Sequence, residues 1–149
     1  MSEILDSGNR TVFPGGAVRD IQEGKGRCDL LPLHEVAEML CSTAIKDIAN
    51  FQDTKDVFNL YAAIIHCDCF IDIYTTILEV AKHFEDGCNK YGERNWEKGI
   101  PVNRYIDSAV RHYIKHLRGD TDERHDRAFV WNILCCIWTI NHFGEGFVE

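Results

Sequence analysis

A surplus of positive charge is the first thing this sequence lacks. It holds 16 Lys and Arg against 24 Asp and Glu, a net charge of -8. Broad attraction to DNA, RNA or an anionic membrane is therefore disfavoured, because phosphate backbones draw basic surfaces. Long apolar runs are missing too: nothing approaches the ~20 residues needed to span a bilayer. The segment from Met1 to Ala17 is polar and glycine-rich, without the apolar centre of a secretion signal, which points to the cytoplasm. None of the 7 cysteines (Cys28, Cys41, Cys67, Cys69, Cys88, Cys135 and Cys136) forms a Cys-x-x-Cys pair, so a structural zinc site has no support. An odd number of thiols, most of them inside apolar helical stretches, fits small hydrophobes in a reducing compartment. No alternating strand pattern of any length occurs.

What is present is helical periodicity. The 149 residues fit one domain, divided into an irregular glycine-rich arm (1–26), a helical core (27–141) and a tail (142–149). Val36, Met39, Leu40, Ala44, Ile45 and Ile48 recur at helical spacing and predict a first helix over 32–50. A second, over 54–84, carries Val57, Leu60, Tyr61, Ile64, Ile71, Tyr74, Leu78 and Ala81 on its apolar side, with Asp68, Asp72, Thr75, Glu79 and Lys82 opposite. A third, over 103–118, buries Ile106, Ala109, Val110, Tyr113, Ile114 and Leu117, with Asn103 as N-cap and Gly119 as stop. Its opposite face carries Arg104, Asp107, Arg111, Lys115 and Arg118. A fourth, over 123–141 and capped by Thr121 or Asp122, is apolar nearly all round and belongs at the centre. The expected fold is all-α: a bundle of about four main helices, with a motif-bearing loop between the second and third.

The loops hold the chemistry-bearing residues. Tyr91 and Trp96 stand among Lys90, Arg94 and Lys98, with Asn95 between them and Gly92 and Gly99 as pivots. Rings, cations and an amide together suit a flat, negatively charged ligand. Near the arm's end, Gly24-Lys25-Gly26-Arg27 frees the backbone to approach a phosphate; alternatively it is a capping turn with Arg27 and Asp29 paired. Glu35-x-x-Glu38 puts two carboxylates on one helix face, as in metal sites, or merely complements a helix dipole. His112 and His125 are either site residues or core histidines bonded to a carbonyl.

Residues 23–32 (Glu-Gly-Lys-Gly-Arg-Cys-Asp-Leu-Leu-Pro), Lys90-Tyr91-Gly92-Glu93-Arg94-Asn95-Trp96, Arg111-His112, and Gly119-Asp120-x-Asp122-Glu123-x-His125 with Trp131-Asn132 resemble the phage and prophage dATP/dGTP diphosphohydrolases. The resemblance extends over roughly residues 16–140. It implies hydrolysis of a deoxypurine triphosphate to monophosphate and pyrophosphate with Mg²⁺ or Mn²⁺, as in the all-α pyrophosphohydrolases related to MazG. In those enzymes Glu-x-x-Glu and Glu-x-x-Asp pairs hold the metal. Here Glu35-x-x-Glu38 is followed only by Asp53-x-x-Asp56, while Glu123-x-x-Asp126 fits the second pair from far away.

That chemistry needs a metal, cations for the pyrophosphate and a base for water. Asp120, Asp122 and Glu123 are the expected metal ligands, and Glu123, His112 and His125 the expected catalytic groups, with His112 or His125 as a second metal ligand or a proton carrier. Lys25, Arg27, Lys90, Arg94 and Arg111 would hold phosphates, Tyr91 or Trp96 would stack on the base, and Asn95 would pair with a purine edge. The partner is a small nucleotide, with neither a nucleic acid polymer nor a membrane. By analogy the chain forms a homo-oligomer, in the host cytoplasm if phage-encoded. The alternative is a non-catalytic sponge that sequesters a nucleotide defence signal. Such a sponge has no use for carboxylates near the phosphates unless arginines neutralise them.

Overall fold

A computed structural model describes residues 9–144, among which six α-helices and one β-hairpin supply the regular structure. The fold is all-α, as the periodicity indicates. The arm, however, is not irregular throughout. β1 (Arg10–Val12) and β2 (Val18–Asp20) pair antiparallel, with Arg10 opposite Asp20 and Val12 opposite Val18. Phe13 and Ala17 at its turn are buried. Strands of three residues are too short to leave an alternating signature.

Two of the expected long helices are each broken in two. Residues 32–50 become α1 (Leu33–Leu40) and α2 (Thr43–Thr54). Cys41 turns the chain with a left-handed φ of 51°, and the Ser42 side chain accepts from the Ile45 amide to start α2. Residues 54–84 become α3 (Phe58–His66) and α4 (Ile73–Tyr91), with Asp68 left-handed between them and Asp72 capping α4 through the Thr75 amide. Ser and Asp at such breaks satisfy amides that the new helix leaves open.

α5 (Val102–Arg118) and α6 (His125–Phe143) form the central pair. Gly119 ends α5 at φ 89°, its amide bonding back to His116 while Asp120 bonds to Lys115. Asn103 sits inside α5, whose cap position is Pro101, and α6 starts only after Arg124. The carboxylates of Asp120, Asp122 and Glu123 thus stand on the connecting turn. α6 touches α3, α4 and α5, with Phe129, Val130, Ile133, Cys136 and Ile137 buried around it.

Two faces differ from the sequence expectation. On α5, Arg104 and Asp107 are buried, because the hairpin and the segment after it lie across that face. On α4, the buried residues are Thr76, Val80 and His83, while Tyr74, Leu78 and Ala81 are exposed, as is Ile71 just before the helix.

Candidate functional site

A cavity of about 550 Å³ opens between residues 18–25, α4, α5 and α6. Each wall follows from a local feature. Asn95 stands in a 3-10 turn (Asn95–Lys98) after α4, and its amide group behaves as an extra strand residue. Its Oδ1 accepts from the Val18 amide and its Nδ2 donates to the Val18 carbonyl, both at 2.8 Å. That pins β2 against the helices. Arg104 donates to the Asp20 carbonyl at 3.1 Å, and Lys90 reaches the Asp20 carboxylate at 3.1 Å. Arg19 then projects inward from β2, bonded to Asn132 Oδ1 and Ser108 Oγ, each at 3.1 Å. Its guanidinium also lies over the Tyr105 and Trp131 rings.

Cations line one side. Arg111 is held by both oxygens of Asp107, at 2.6 and 2.7 Å, in an i,i+4 pair on α5. Asp107 also accepts from Gln22 and from the Cys28 amide, so it ties the arm to α5. Burial works to raise the Asp107 carboxyl, but the Arg111 and Gln22 hydrogen bonds outweigh it and hold it below its ordinary range. Lys25 stands exposed at the glycine-flanked turn; partial desolvation lowers its proton affinity, against a smaller pull from Asp20, with Arg111 adding to the lowering. Lys90 lies over the Tyr91 ring, and Lys115 completes the cationic side.

The same cavity holds a polar chain. His112 Nδ1 and His125 Nδ1 face each other at 2.9 Å, and His125 Nε2 bonds to Asp122 Oδ1 at 2.7 Å. His112 is held neutral by burial, reinforced by His125 beside it. Glu123 makes no side-chain hydrogen bond or ion pair among the described residues, and burial raises its carboxyl above the usual range. Donor atoms of His112, Glu123 and His125 lie within 4.8 Å of one another, close enough to surround one ion. Asp120, Asp122 and His125 form a second such group, but Asp120 is engaged by the exposed Arg118 through both its oxygens.

The structure therefore brings Lys25, Lys90, Tyr91, Asn95, Arg111, His112, Asp122 and Glu123 to one cavity, with His125 directly behind. It leaves four expected residues aside. Arg27 forks onto Asp29 at 2.7 and 2.8 Å, and Arg94 pairs with Glu97 at 2.7 Å on the surface. Trp96 packs edge-on against Phe84 and Trp138, as a core anchor between α4 and α6. Asp120 faces Arg118. Glu35, Glu38, Asp53 and Asp56 do not line the cavity: Asp53 bonds His34 and Asp56 caps the Phe58 amide. Sequence reasoning missed Arg19, Asp20, Gln22, His83, Arg104, Asp107, Ser108, Lys115 and Trp131 in the lining. The Arg-Asp-x-Gln run at 19–22 was the available signal, masked by its place in a glycine-rich arm.

Three buried polar atoms on residues of this lining, His83 Nδ1, Arg111 Nε and Trp131 Nε1, have no hydrogen-bond partner among the described residues. Buried groups left so are uncommon in a finished core and mark a place organised for something besides packing. No curated protein and no solved structure matches the chain. The family model described as "dATP/dGTP diphosphohydrolase, N-terminal" matches residues 65–147, which span α4, the Asn95 turn, α5 and α6. The match takes in three of the four walls of the cavity, and the chain belongs to the dATP/dGTP diphosphohydrolase family.

Proposed function

We propose that this chain hydrolyses dATP or dGTP to the monophosphate and pyrophosphate, with help from a divalent metal, in the cavity between the arm and α4–α6. One observation carries the reading: Lys25, Lys90, Arg111 and Lys115 share a nucleotide-sized cavity with an unpaired carboxylate, Glu123. Cations alone would only bind phosphates. A half-buried carboxylate without a partner costs stability and is retained where chemistry uses it.

The donor set fits a divalent ion. His112 offers a neutral imidazole, His125 has its far nitrogen held by Asp122, and Glu123 supplies a hard oxygen. Those three would hold the ion, rather than Asp120 and Asp122. When bound, it would neutralise phosphate charge and acidify a water. The protein's own groups do the rest. Arg111, fixed by Asp107, presents its fork to the phosphates without having to be ordered on binding. Lys25 and Lys90 close on the pyrophosphate from the arm and α4. Tyr91 is the ring in the lining that could meet the base, while Trp131 backs Arg19. One Glu123 oxygen can face the ion while the other accepts a proton from the attacking water. The same reading places the protein in the cytoplasm as a homo-oligomer acting on a free nucleotide.

The sponge reading is favoured by a single pairing, Asp120 with Arg118. It leaves Glu123 unexplained. The test is incubation with dATP, dGTP and other nucleotides plus Mg²⁺ or Mn²⁺, followed by chromatography of products and bound species. Pyrophosphate should be released, and Glu123→Gln should lower the rate by about a hundredfold or more while nucleotide is still retained. Tight retention of unaltered nucleotide, indifferent to metal, would overturn hydrolysis.

A further inference from the structure

We infer that the metal centre is a two-nitrogen, one-oxygen site (His112 Nδ1, His125 Nδ1 and a Glu123 oxygen) that selects first-row transition ions such as Mn²⁺ over Mg²⁺. The inference rests on the reading of this cavity as a metal-assisted phosphate site, and it concerns what kind of ion the side chains accept.

The ring nitrogens lead there first. Asp122 Oδ1 lies 2.7 Å from His125 Nε2 and engages that nitrogen, which leaves Nδ1 as the ring's ligand atom. That atom faces the Nδ1 of His112 at 2.9 Å. Two nitrogens bound to one ion at a right angle, each ~2.1 Å from it, stand about 3 Å apart. A hydrogen bond between the rings would account for the same spacing with one proton shared between the two Nδ1 atoms. It leaves Glu123, which has no partner, pointing toward the pair for no structural reason.

The second step is donor softness. Mg²⁺ demands oxygen and gives up water reluctantly, and all-carboxylate sites suit it. Imidazole nitrogens shift preference toward Mn²⁺, Fe²⁺ and Co²⁺, and a two-histidine, one-carboxylate set leaves positions open for other ligands. Lys25, Lys90 and Arg111 line the same cavity, so phosphate oxygens held there could complete the shell. Asp122 is the positioning residue: it sits outside the ligand set and fixes the His125 ring.

The experiment reads metal ligation directly. The full chain is stripped with EDTA and titrated with Mn²⁺, following the free-ion EPR signal, and the loaded protein is examined by electron spin echo modulation. Nitrogen-14 modulation from directly bound imidazole should appear, and about a hundredfold excess of Mg²⁺ should leave the Mn²⁺ in place. His125→Gln should remove half the nitrogen signal. Because His125 is buried, the more exposed Asp122→Asn serves as the second variant and should weaken Mn²⁺ by about 10–100-fold with an unchanged circular dichroism spectrum. Absence of nitrogen modulation, displacement by equimolar Mg²⁺, or Asp122→Asn affinity equal to wild type would each overturn the site. Pyrophosphate release with Mg²⁺ but no nitrogen signal would sink this inference alone; a nitrogen signal without turnover would sink only the hydrolase.

Discussion

His83 lies on the buried side of α4, its ring against Trp131 and its Nδ1 without a partner among the described residues. Burial pushes its proton affinity down to about 4, with Arg127, Arg19 and Lys90 adding to the effect and Asp126 opposing it. The folded chain then keeps this ring neutral where the unfolded chain, near the ordinary value of about 6.5, takes up a proton. Above that value neither state is charged and position 83 contributes nothing to pH dependence. As pH falls below it, the unfolded state gains a proton the folded state refuses, and stability declines until pH reaches about 4. The slope approaches about 1.4 kcal/mol per pH unit for one such group. Urea unfolding of wild type and His83→Gln at pH 7.5 and pH 5 checks this. Wild type should lose about 2 kcal/mol more than the variant over that interval. Equal losses would mean the ring is protonated in the fold. His112 remains in both proteins, so the comparison isolates position 83.

The element that assembles the site is the β1–β2 hairpin, and its attachment turns on Gly15. A Cβ there would lie 1.9 Å from the Lys98 carbonyl oxygen, a backbone atom that has no rotamer to escape into. Gly15→Ala must therefore lift the hairpin tip off the 3-10 turn that carries Asn95. The expected cost is about 1–3 kcal/mol. Faster hydrogen exchange at the Val18 amide, which Asn95 normally holds, should accompany weaker nucleotide binding as Arg19 and Lys25 lose their places. Unchanged Val18 protection and unchanged affinity would show that the hairpin does not position the site. Very little of this was legible beforehand. Helix content followed from the 3.6-residue period, and the loop residues Lys90, Tyr91 and Asn95 stood out by chemistry. The roles of Asn95 and Trp96 did not, because an amide or an indole in a loop looks the same whether it meets a ligand, a strand edge or a core. The breaks at Ser42 and Asp72 were hidden by apolar spacing that runs across them, although both residue types favour N-caps. Arg104 and Asp107 read as a wet face because nothing in α5 itself reveals that the arm will cover it.

At the scale of the whole molecule, the face of α4 that reads as apolar in sequence is the face this single chain leaves bare. Tyr74 is 77% exposed, followed along the helix by Ile77, Leu78 and Ala81, and Ile71 just before the helix is 95% exposed. A stripe at 3–4-residue spacing is the pattern of a helix with something to pack against. Together with Ile73 these side chains make a contiguous exposed apolar stripe, the kind of surface that a standard interface of roughly 800 Å² per partner covers. No helix among the described residues is long and apolar enough to cross a membrane, so a bilayer-spanning role does not account for the stripe. A second copy would: a helix face meeting itself across a two-fold axis is self-complementary without any further partner. At its edge, Glu79 is already neutralised by Lys82 and Arg127, which lowers the cost of bringing two such faces together. The net charge of -8 acts the other way, since two copies repel at long range. Salt screens that repulsion and leaves apolar burial intact, so association should tighten as NaCl is raised. Sedimentation equilibrium should give about twice the 17.1 kDa chain mass at micromolar concentration. The double substitution Tyr74→Lys, Leu78→Lys should return a folded monomer, because both positions face away from the core. A wild-type monomer at high salt, or a dimer unaffected by the two lysines, would place the partner of α4 elsewhere. α4 also carries His83, Lys90 and Tyr91 into the cavity, so the monomeric variant further reports whether pairing braces the site: a rise in KM on separation would follow if it does.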